Sequence, residues 1–547
     1  RPRLGRHRPA RLLATQKVGL TLSPKIHIIH HNMRAHLYIL IFLALASPLW
    51  AVEFVFVRPS ESAQSLRDAE VINVRGGRSF LLHEIGSGID GRTDLTRDLM
   101  ARSGAVAAVA ALWDEARTMA PEGSQKWINA DTPIPVWVMP KEAPPRGPGL
   151  VALVPLRVKR IDGTTFDASQ LLQLNDLKIP GDHIVSLSEM ARAKVLTPMI
   201  CHECFHGIHQ TLFAERYLLL DLLGSPGGAH DSPDETDNHM ALKEGWAEAG
   251  ELILGEQFPD EIYAEPASDI SPATKAFAEK TKKRRITLAS RNRYVFSQDG
   301  RVRDGNLDKG ERDMATEGVV ASLLYTIWGH ANMPEPLSKM MQTMANHRSL
   351  SFFEYVKDLS KDQPEHAKTL QRIILEYTYY TINSDKAQEL YRNYYLAKKE
   401  YVQKKLDKEA FHRVKEIWQQ WKEEQLAQIE AGAPLGAALP QPLMIDTKEG
   451  YGADLNDKDL DSLAWCLEAF MGENDNPDEA RRKAEMYAAR IAKKREELGF
   501  LNSLDELEDV LPKKLLATFK AGRNRVLRKI EKRLAETVSK RRALKGY

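Results

Sequence analysis

One short segment of this 547-residue chain combines two possible metal ligands with a possible general base. His202, Glu203 and His206 form an HExxH pattern within the sequence MICHECFHG. On a helix, residues four positions apart lie on one face with Cβ atoms about 5–6 Å apart, so both imidazoles can reach one Zn²⁺ ion. The Glu203 carboxylate lies beside such an ion and can take a proton from metal-bound water. The pattern therefore predicts a zinc site equipped for hydrolysis.

A catalytic zinc site also needs a third protein ligand and an open coordination position. Residues 239–256 have a helical pattern that carries Glu244 and Glu248, and a second helical pattern from Met314 to Gly329 carries Glu317. From the residues alone, each of these three carboxylates is a candidate for the third ligand.

The pair of motifs HExxHG and EGxAE resembles the gluzincin class of zinc metallopeptidases, which includes thermolysin-like enzymes and related aminopeptidases. The resemblance covers about residues 90–360. It implies that Glu244 is the third ligand, with Glu248 and Glu317 as the alternatives, and that the scissile bond is an amide. Glu248 matches the outer carboxylate that holds a zinc-bound histidine in such enzymes.

The same resemblance implies a tyrosine or histidine that stabilises the oxyanion, and Tyr325, His330 and Tyr294 are the candidates. The chain departs from the pattern of the class at Glu248, which stands in place of a shorter aspartate, and in two further places. The interval between His206 and Glu244 is unusually long, and Lys243 stands where asparagine usually precedes the ligand glutamate.

The elements that must position these residues form an α+β pattern. Apolar runs bounded by Pro, Gly and Asp predict strands at 134–138, 149–154 and 183–187, and apolar spacing predicts a helix over 94–120. The motif helix is expected to begin near Thr197-Pro198. Together with the resemblance, this order predicts a zincin-like core. In such a core, a small mixed sheet places an edge strand over the HExxH helix, and a mainly helical subdomain and a helical C-terminal region follow.

The first residues of the chain predict export. Met33 opens a short basic segment that is followed by the apolar run 37–46 and small residues up to Ala51, which is typical of a secretory signal peptide. The run is shorter than the roughly 20 residues that cross a bilayer, so no membrane span is expected in the mature chain. We therefore expect a secreted or periplasmic protein.

Composition shifts divide the rest of the chain into regions. The expected regions are a non-native or disordered upstream segment (1–32), the signal peptide (33–51), an N-terminal α/β subdomain (52–195), a helical zinc-binding catalytic subdomain (196–384), long charged helices (385–430), a linker (431–447) and a basic helical C-terminal domain (448–547).

The charge pattern bears on possible partners. The net charge is only +2, although basic residues outnumber acidic ones in 481–547. Residues 484–520 weakly resemble half of a helix-hairpin-helix DNA-binding module, but Val510-Leu511-Pro512 replaces the glycine hairpin that would offer N–H groups to phosphate. Nucleic-acid binding is therefore not the main expectation, and a peptide or protein substrate is the partner that the gluzincin resemblance implies. A non-catalytic scaffold of the cell envelope and a nucleic-acid-binding protein are the alternative functions.

The chain has three cysteines, too few for a disulfide-built scaffold. Cys201 and Cys204 flank His202 and occupy positions of the motif helix that pack against other elements. We therefore expect them to act as small apolar residues and not as ligands.

Overall fold

The computed structural model describes residues 52–521 with internal gaps. The gaps are residues 61, 75–76, 122–131, 218–219, 221–235, 237, 290–313, 331, 379, 381, 383–384, 433–443, 447–451, 456–462, 465–466, 469–475, 499–500 and 502. The predicted signal peptide, the upstream segment 1–32 and Tyr294 lie outside the described residues.

Five strands of the N-terminal part pair in a closed ring, and a sixth is added to one of them. The strands are β1 (Phe54–Arg58), β2 (Val71–Val74), β3 (Gly77–Glu84), β4 (Ile134–Val138), β5 (Gly149–Lys159) and β6 (Thr165–Leu174). Around the ring the order is β1, β4, β6, β5 and β3, and β3 pairs again with β1.

Parallel and antiparallel pairs both occur in this ring. The pairs β1–β4, β4–β6 and β3–β5 are parallel, whereas β5–β6 and β1–β3 are antiparallel. The chain is therefore a mixed α/β protein. Because each ring strand has two neighbours, the strands that pack on the motif helix are not edge strands. We had expected an edge strand next to the motif helix. In this sheet the strand that pairs on one side only is β2, which is joined to β3.

The sequence did not predict β6, and its polar residues explain why. Asp167, Ser169, Gln170 and Gln173 interrupt the apolar residues, so the segment resembles a loop. In the structure the Gln170 side chain is buried, and its amide donates to the Gly207 carbonyl at 3.0 Å. The polar strand is stabilised by partners on the motif helix, and only the fold brings them together.

Two short strands form a separate hairpin, β7 (Leu177–Ile179) with β8 (His183–Val185). The described helices are α1 (Gly91–Arg102), α2 (Gly104–Met119), α3 (Leu187–Arg192), α4 (Leu196–Phe213), α5 (Asn238–Gln257), α6 (Pro259–Ile262), α7 (Pro272–Ala289), α8 (Glu317–His330), α9 (Pro336–His347), α10 (Phe352–Asp362), α11 (Ala367–Tyr377), α12 (Asp385–Val402), α13 (Lys408–Glu430) and α14 (Pro477–Leu498). None of the helices in the described part of the chain is both long and apolar enough to cross a bilayer.

The helix predicted over 94–120 is in fact two helices that meet at Ser103. The Ser103 hydroxyl accepts the N–H of Val106 and so caps the second helix. The Glu261 carboxylate accepts the Gly104 N–H at 2.9 Å and bonds the Ser103 hydroxyl as well. A carboxylate is stabilised at a helix N-terminus, so this distant residue fixes the break.

Helix α4 is buried between two other helices, and two glycines allow their close approach. A Cβ atom on Gly207 would lie 2.1 Å from the Trp113 ring of α2, and one on Gly250 of α5 would lie 2.3 Å from Phe205 of α4. The Trp113 indole also donates to the Thr211 hydroxyl at 3.0 Å. These contacts fix α4 rigidly against α2 and α5.

The C-terminal part of the described chain has its own apolar cluster. It is built from Leu455, residues of α14 such as Ile491, and Leu504, Leu507 and Phe519. Several of its basic side chains form ion pairs, such as Lys494 with Asp509 at 2.6 Å.

The tight packing of α4 generates a prediction about stability. Replacing Gly207→Ala should lower the free energy of unfolding by about 1–3 kcal/mol, because the new methyl group collides with buried Trp113. Gly91→Ala is the control, since nothing lies within 4 Å of its Cβ position, and it should be neutral or slightly stabilising. Urea unfolding measures both changes. Equal stability of the two variants would show that α4 is packed less closely than described.

Candidate metal centre

The two motif histidines lie on one face of α4, as their spacing predicts. Helix α3 ends at Arg192 and α4 begins at Leu196, with Pro198 in its first turn. The break thus lies at 193–195, a few residues before the predicted start at Thr197-Pro198, and Pro198 is the third helical residue and not the first. The rings of His202 and His206 meet edge to face with centroids 4.8 Å apart, and their Nε2 atoms are 3.1 Å apart.

Glu244 of α5 completes the cluster. Its Oε2 atom lies 3.1 Å from His206 Nε2 and 3.4 Å from His202 Nε2. Among the described residues, His202, His206 and Glu244 form a group whose possible ligand atoms all lie within 4.8 Å of one another. The structure thus brings together the three residues predicted as ligands, across the long interval between His206 and Glu244.

The distances in the cluster fit a tetrahedral zinc ion. With Zn–N and Zn–O distances of about 2.0–2.1 Å, two ligand atoms at the tetrahedral angle are about 3.3 Å apart. The three separations of 3.1, 3.1 and 3.4 Å are close to that value. Two imidazoles and one carboxylate also form a ligand set that is common at catalytic zinc, where the fourth position is open. The residues present therefore fit the predicted metal.

The electrostatics of the cluster favour positive charge at its centre. Burial alone would lower the pKa of His202, but its hydrogen bonds to Glu244 and Glu251 outweigh burial and hold that pKa well above its usual value. Burial would likewise raise the pKa of Glu244, but the positive charge of His206 and the hydrogen bond to His202 hold it well below its usual value. Both shifts favour positive charge between the three side chains, which is what a bound cation would supply.

The outer partner of His202 differs from the predicted one. The carboxylate that accepts from His202 Nδ1 is Glu251, at 2.8 Å, and its other oxygen accepts from Arg285 Nε at 2.5 Å. Glu248, the predicted partner, instead lies 3.9 Å from Arg284 Nε. Seven residues make two helical turns, so Glu251 lies on the same face of α5 as Glu244 and reaches the far nitrogen of His202.

The partner of His206 Nδ1 is a tyrosine that the sequence did not suggest. The Tyr217 hydroxyl lies 3.5 Å from that nitrogen, and the Lys243 ammonium lies 5.9 Å from the centre of the Tyr217 ring. Lys243 also lies 3.6 Å from the Glu244 oxygen that faces away from the histidines. Lys243 therefore partly neutralises the charge of the Glu244 carboxylate.

Glu203, the predicted general base, lies on the same helix as the two histidines. It is adjacent to His202 in α4, and its side chain is half-buried. Within the described part of the chain, its carboxylate makes no hydrogen bond or ion pair, so it is available to accept a proton. The His202 side chain is 19% exposed, which gives solvent a route to the cluster.

Two of the other predicted residues do not join the cluster. The Tyr325 hydroxyl donates to Glu256, which lies twelve residues beyond Glu244, about 18 Å along α5. Tyr325 is therefore directed to the other end of that helix and is not retained as an oxyanion donor. Glu317 is buried at the start of α8, outside the set of converging ligand atoms.

His330 is the last residue of α8, and its side chain lies outside the described residues, as does Tyr294. An oxyanion donor therefore stays a prediction. Its two remaining candidates, His330 and Tyr294, have no described side chain.

The remaining polar residues of α4 act in packing. Cys201 and Cys204 are fully buried free thiols, and burial raises the pKa of both, so they pack as apolar residues. His209 is also fully buried, with Phe213 and Trp246 among the aromatic rings around it. Burial lowers the pKa of His209 well below its usual value, so its ring is neutral.

Comparison with known proteins adds no family assignment. No protein-family model matches the chain, and neither a curated protein nor a solved structure matches it. The gluzincin resemblance consequently stays a resemblance of two short motifs, and the geometry of the site is the basis for a functional proposal.

The position of Glu244 leads to a prediction about the third ligand. Glu244→Gln should reduce bound zinc from about one ion per chain to a small fraction, because the buried carboxylate oxygen at the cluster is replaced by a weaker amide ligand. Elemental analysis of the purified protein measures the zinc content. Glu248→Gln and Glu317→Gln are matched controls and should retain zinc. Retention by Glu244→Gln together with loss in either control would reassign the third ligand.

Proposed function

We propose that this protein is an exported zinc-dependent metallopeptidase that hydrolyses peptide bonds with Glu203 as general base. The convergence of His202, His206 and Glu244, on a helix that also carries Glu203, supports the proposal most directly. The two sequence motifs and the predicted signal peptide are consistent with it.

His202, His206 and Glu244 are the residues that would hold zinc. The bound ion would polarise the scissile carbonyl and lower the pKa of water from 15.7 to about 7. Glu203 then accepts a proton from the attacking water at a carboxylate oxygen. The same carboxyl group delivers that proton to the leaving amine, which balances the hydrolysis. The Glu251 carboxylate lies at Nδ1 of His202 and the Tyr217 hydroxyl at Nδ1 of His206, so these two residues orient the imidazole rings.

Binding or scaffolding in the cell envelope is the second candidate function for the same site, and it has less support. Such a protein needs zinc ligands, but it has no use for the glutamate of the HExxH pattern, Glu203. Nucleic-acid binding through the C-terminal region is also weaker, because Lys494 and Lys520 are already in ion pairs with acidic neighbours. A lysine that is paired with a carboxylate attracts phosphate less strongly than an unpaired one.

The proposed role of Glu203 is tested by an isosteric substitution. Glu203→Gln should keep about one zinc ion per chain and lower kcat on a peptide library by about 10²-fold or more, because general base catalysis contributes about 10²–10⁴-fold. Tyr325→Phe is the control and should leave kcat unchanged, since its hydroxyl bonds Glu256. A zinc-loaded wild-type chain that cleaves no peptide would favour the scaffold function instead.

Removal of the metal tests the proposal without any mutation. Dialysis against a chelator should abolish peptide cleavage, and one equivalent of Zn²⁺ should restore it, because the ligands alone supply no electrophile. The measurement is peptidase activity as a function of added zinc. Full activity of protein shown to be metal-free by elemental analysis would contradict the zinc mechanism.

A further inference from the structure

Two consecutive arginines of α7 face two buried glutamates of α5. Arg285 Nε lies 2.5 Å from Glu251 Oε2, and Arg284 Nε lies 3.9 Å from Glu248 Oε1. The two pairs join the same two helices and are one helical turn apart on α5. Only the first pair forms a tight hydrogen bond, and its glutamate is the one that contacts His202.

The Arg285–Glu251 pair is almost completely enclosed by protein. Both side chains are 4% exposed. Burial of two charges has a large desolvation cost, which is offset only when the geometry of the pair is good and the remaining atoms also have partners. Glu251 meets this condition, since one of its oxygens is bonded to the guanidinium and the other to the imidazole.

We infer that Arg285 is a positioning residue of the metal centre, acting through Glu251 on His202. This inference rests on the proposed zinc site. Among the described residues, no hydrogen bond or ion pair joins Arg285 to a ligand atom of the cluster, so its effect passes through the Glu251 carboxylate. Within the described residues, hydrogen bonds thus join Arg285 of α7 to Glu251 of α5, and Glu251 to His202 of α4. We call these three residues the relay.

The relay fixes two properties of His202. A carboxylate that accepts from Nδ1 keeps the proton on that nitrogen, which leaves the Nε2 lone pair for the metal. The same hydrogen bond holds the plane of the ring, so that Nε2 lies 3.4 Å from Glu244 Oε2.

Arg285 restrains the Glu251 carboxylate against rotation by occupying its second oxygen. Without the guanidinium, Oε1 would no longer be held towards His202. A lysine could keep the charge, but it lacks the planar donor geometry that fixes a carboxylate.

The experiment compares Arg285→Gln with Arg284→Gln in the full-length protein. Zinc affinity is measured by competition with a chromophoric chelator, and the site geometry by the visible absorption of the Co²⁺-substituted protein. Outer partners of a metal ligand typically contribute about 10–100-fold to metal affinity. We therefore expect Arg285→Gln to weaken zinc binding by about tenfold and to alter the Co²⁺ spectrum, whereas Arg284→Gln changes neither.

A purely structural role gives a different result. In that case both variants lower the melting temperature, but the folded protein keeps the zinc affinity and Co²⁺ spectrum of the wild type, and the inference is wrong. If Arg285→Gln does not fold, Arg285→Lys and Arg284→Lys replace the pair. Weaker zinc binding in Arg285→Lys alone supports the relay, and equal binding in both overturns it.

Failure of the proposed function is distinguishable from failure of this inference. A wild-type chain that binds no zinc contradicts the metal centre itself. A wild-type chain that binds zinc, with an Arg285 variant indistinguishable from its Arg284 control, contradicts only the relay.

Discussion

Three acceptor atoms aimed at one point repel one another unless a cation or a proton lies between them. His202, His206 and Glu244 form such an arrangement, with separations between 3.1 and 3.4 Å. In a buried position the repulsion is weakly screened, so the requirement for positive charge is strong. The upward pKa shift of His202 and the downward pKa shift of Glu244 express the same requirement.

Charged side chains around the cluster also alternate in sign, so that the carboxylates of Glu244 and Glu251 have positive neighbours. Glu251 is held by Arg285 and His202, which outweigh the effect of burial and lower its pKa to about 2. It therefore stays a carboxylate and an acceptor over the physiological pH range. Lys243 lies beside the outer oxygen of Glu244, so Glu244 and Glu251 each have a positive partner. Loss of one member of a buried pair typically costs about 3–5 kcal/mol, which links the integrity of the site to the stability of the fold.

The helices can present these groups accurately because they are packed without freedom to slide. The Gly207–Trp113 and Gly250–Phe205 contacts place α4 at fixed distances from α2 and α5. Gln170 attaches the strand ring to α4 through the Gly207 carbonyl. A metal site requires ligand positions accurate to about 0.5 Å, which residues on such rigid elements can supply.

The sequence by itself determined the local part of the site. The four-residue spacing of His202 and His206 fixes their common face on any helix, and the helical pattern of 239–256 placed Glu244 on a second helix that the structure bounds at 238–257. Strand β4 and the start of α4 were predicted for similar reasons, since apolar runs and a proline act locally.

Contacts between distant segments decided the rest. The break at Ser103 depends on Glu261, and strand β6 depends on α4. The partner of His202 is Glu251 and not Glu248 because the crossing of α4 and α5 selects which turn of α5 faces the imidazole. Helix periodicity permits both residues, and only tertiary packing distinguishes them.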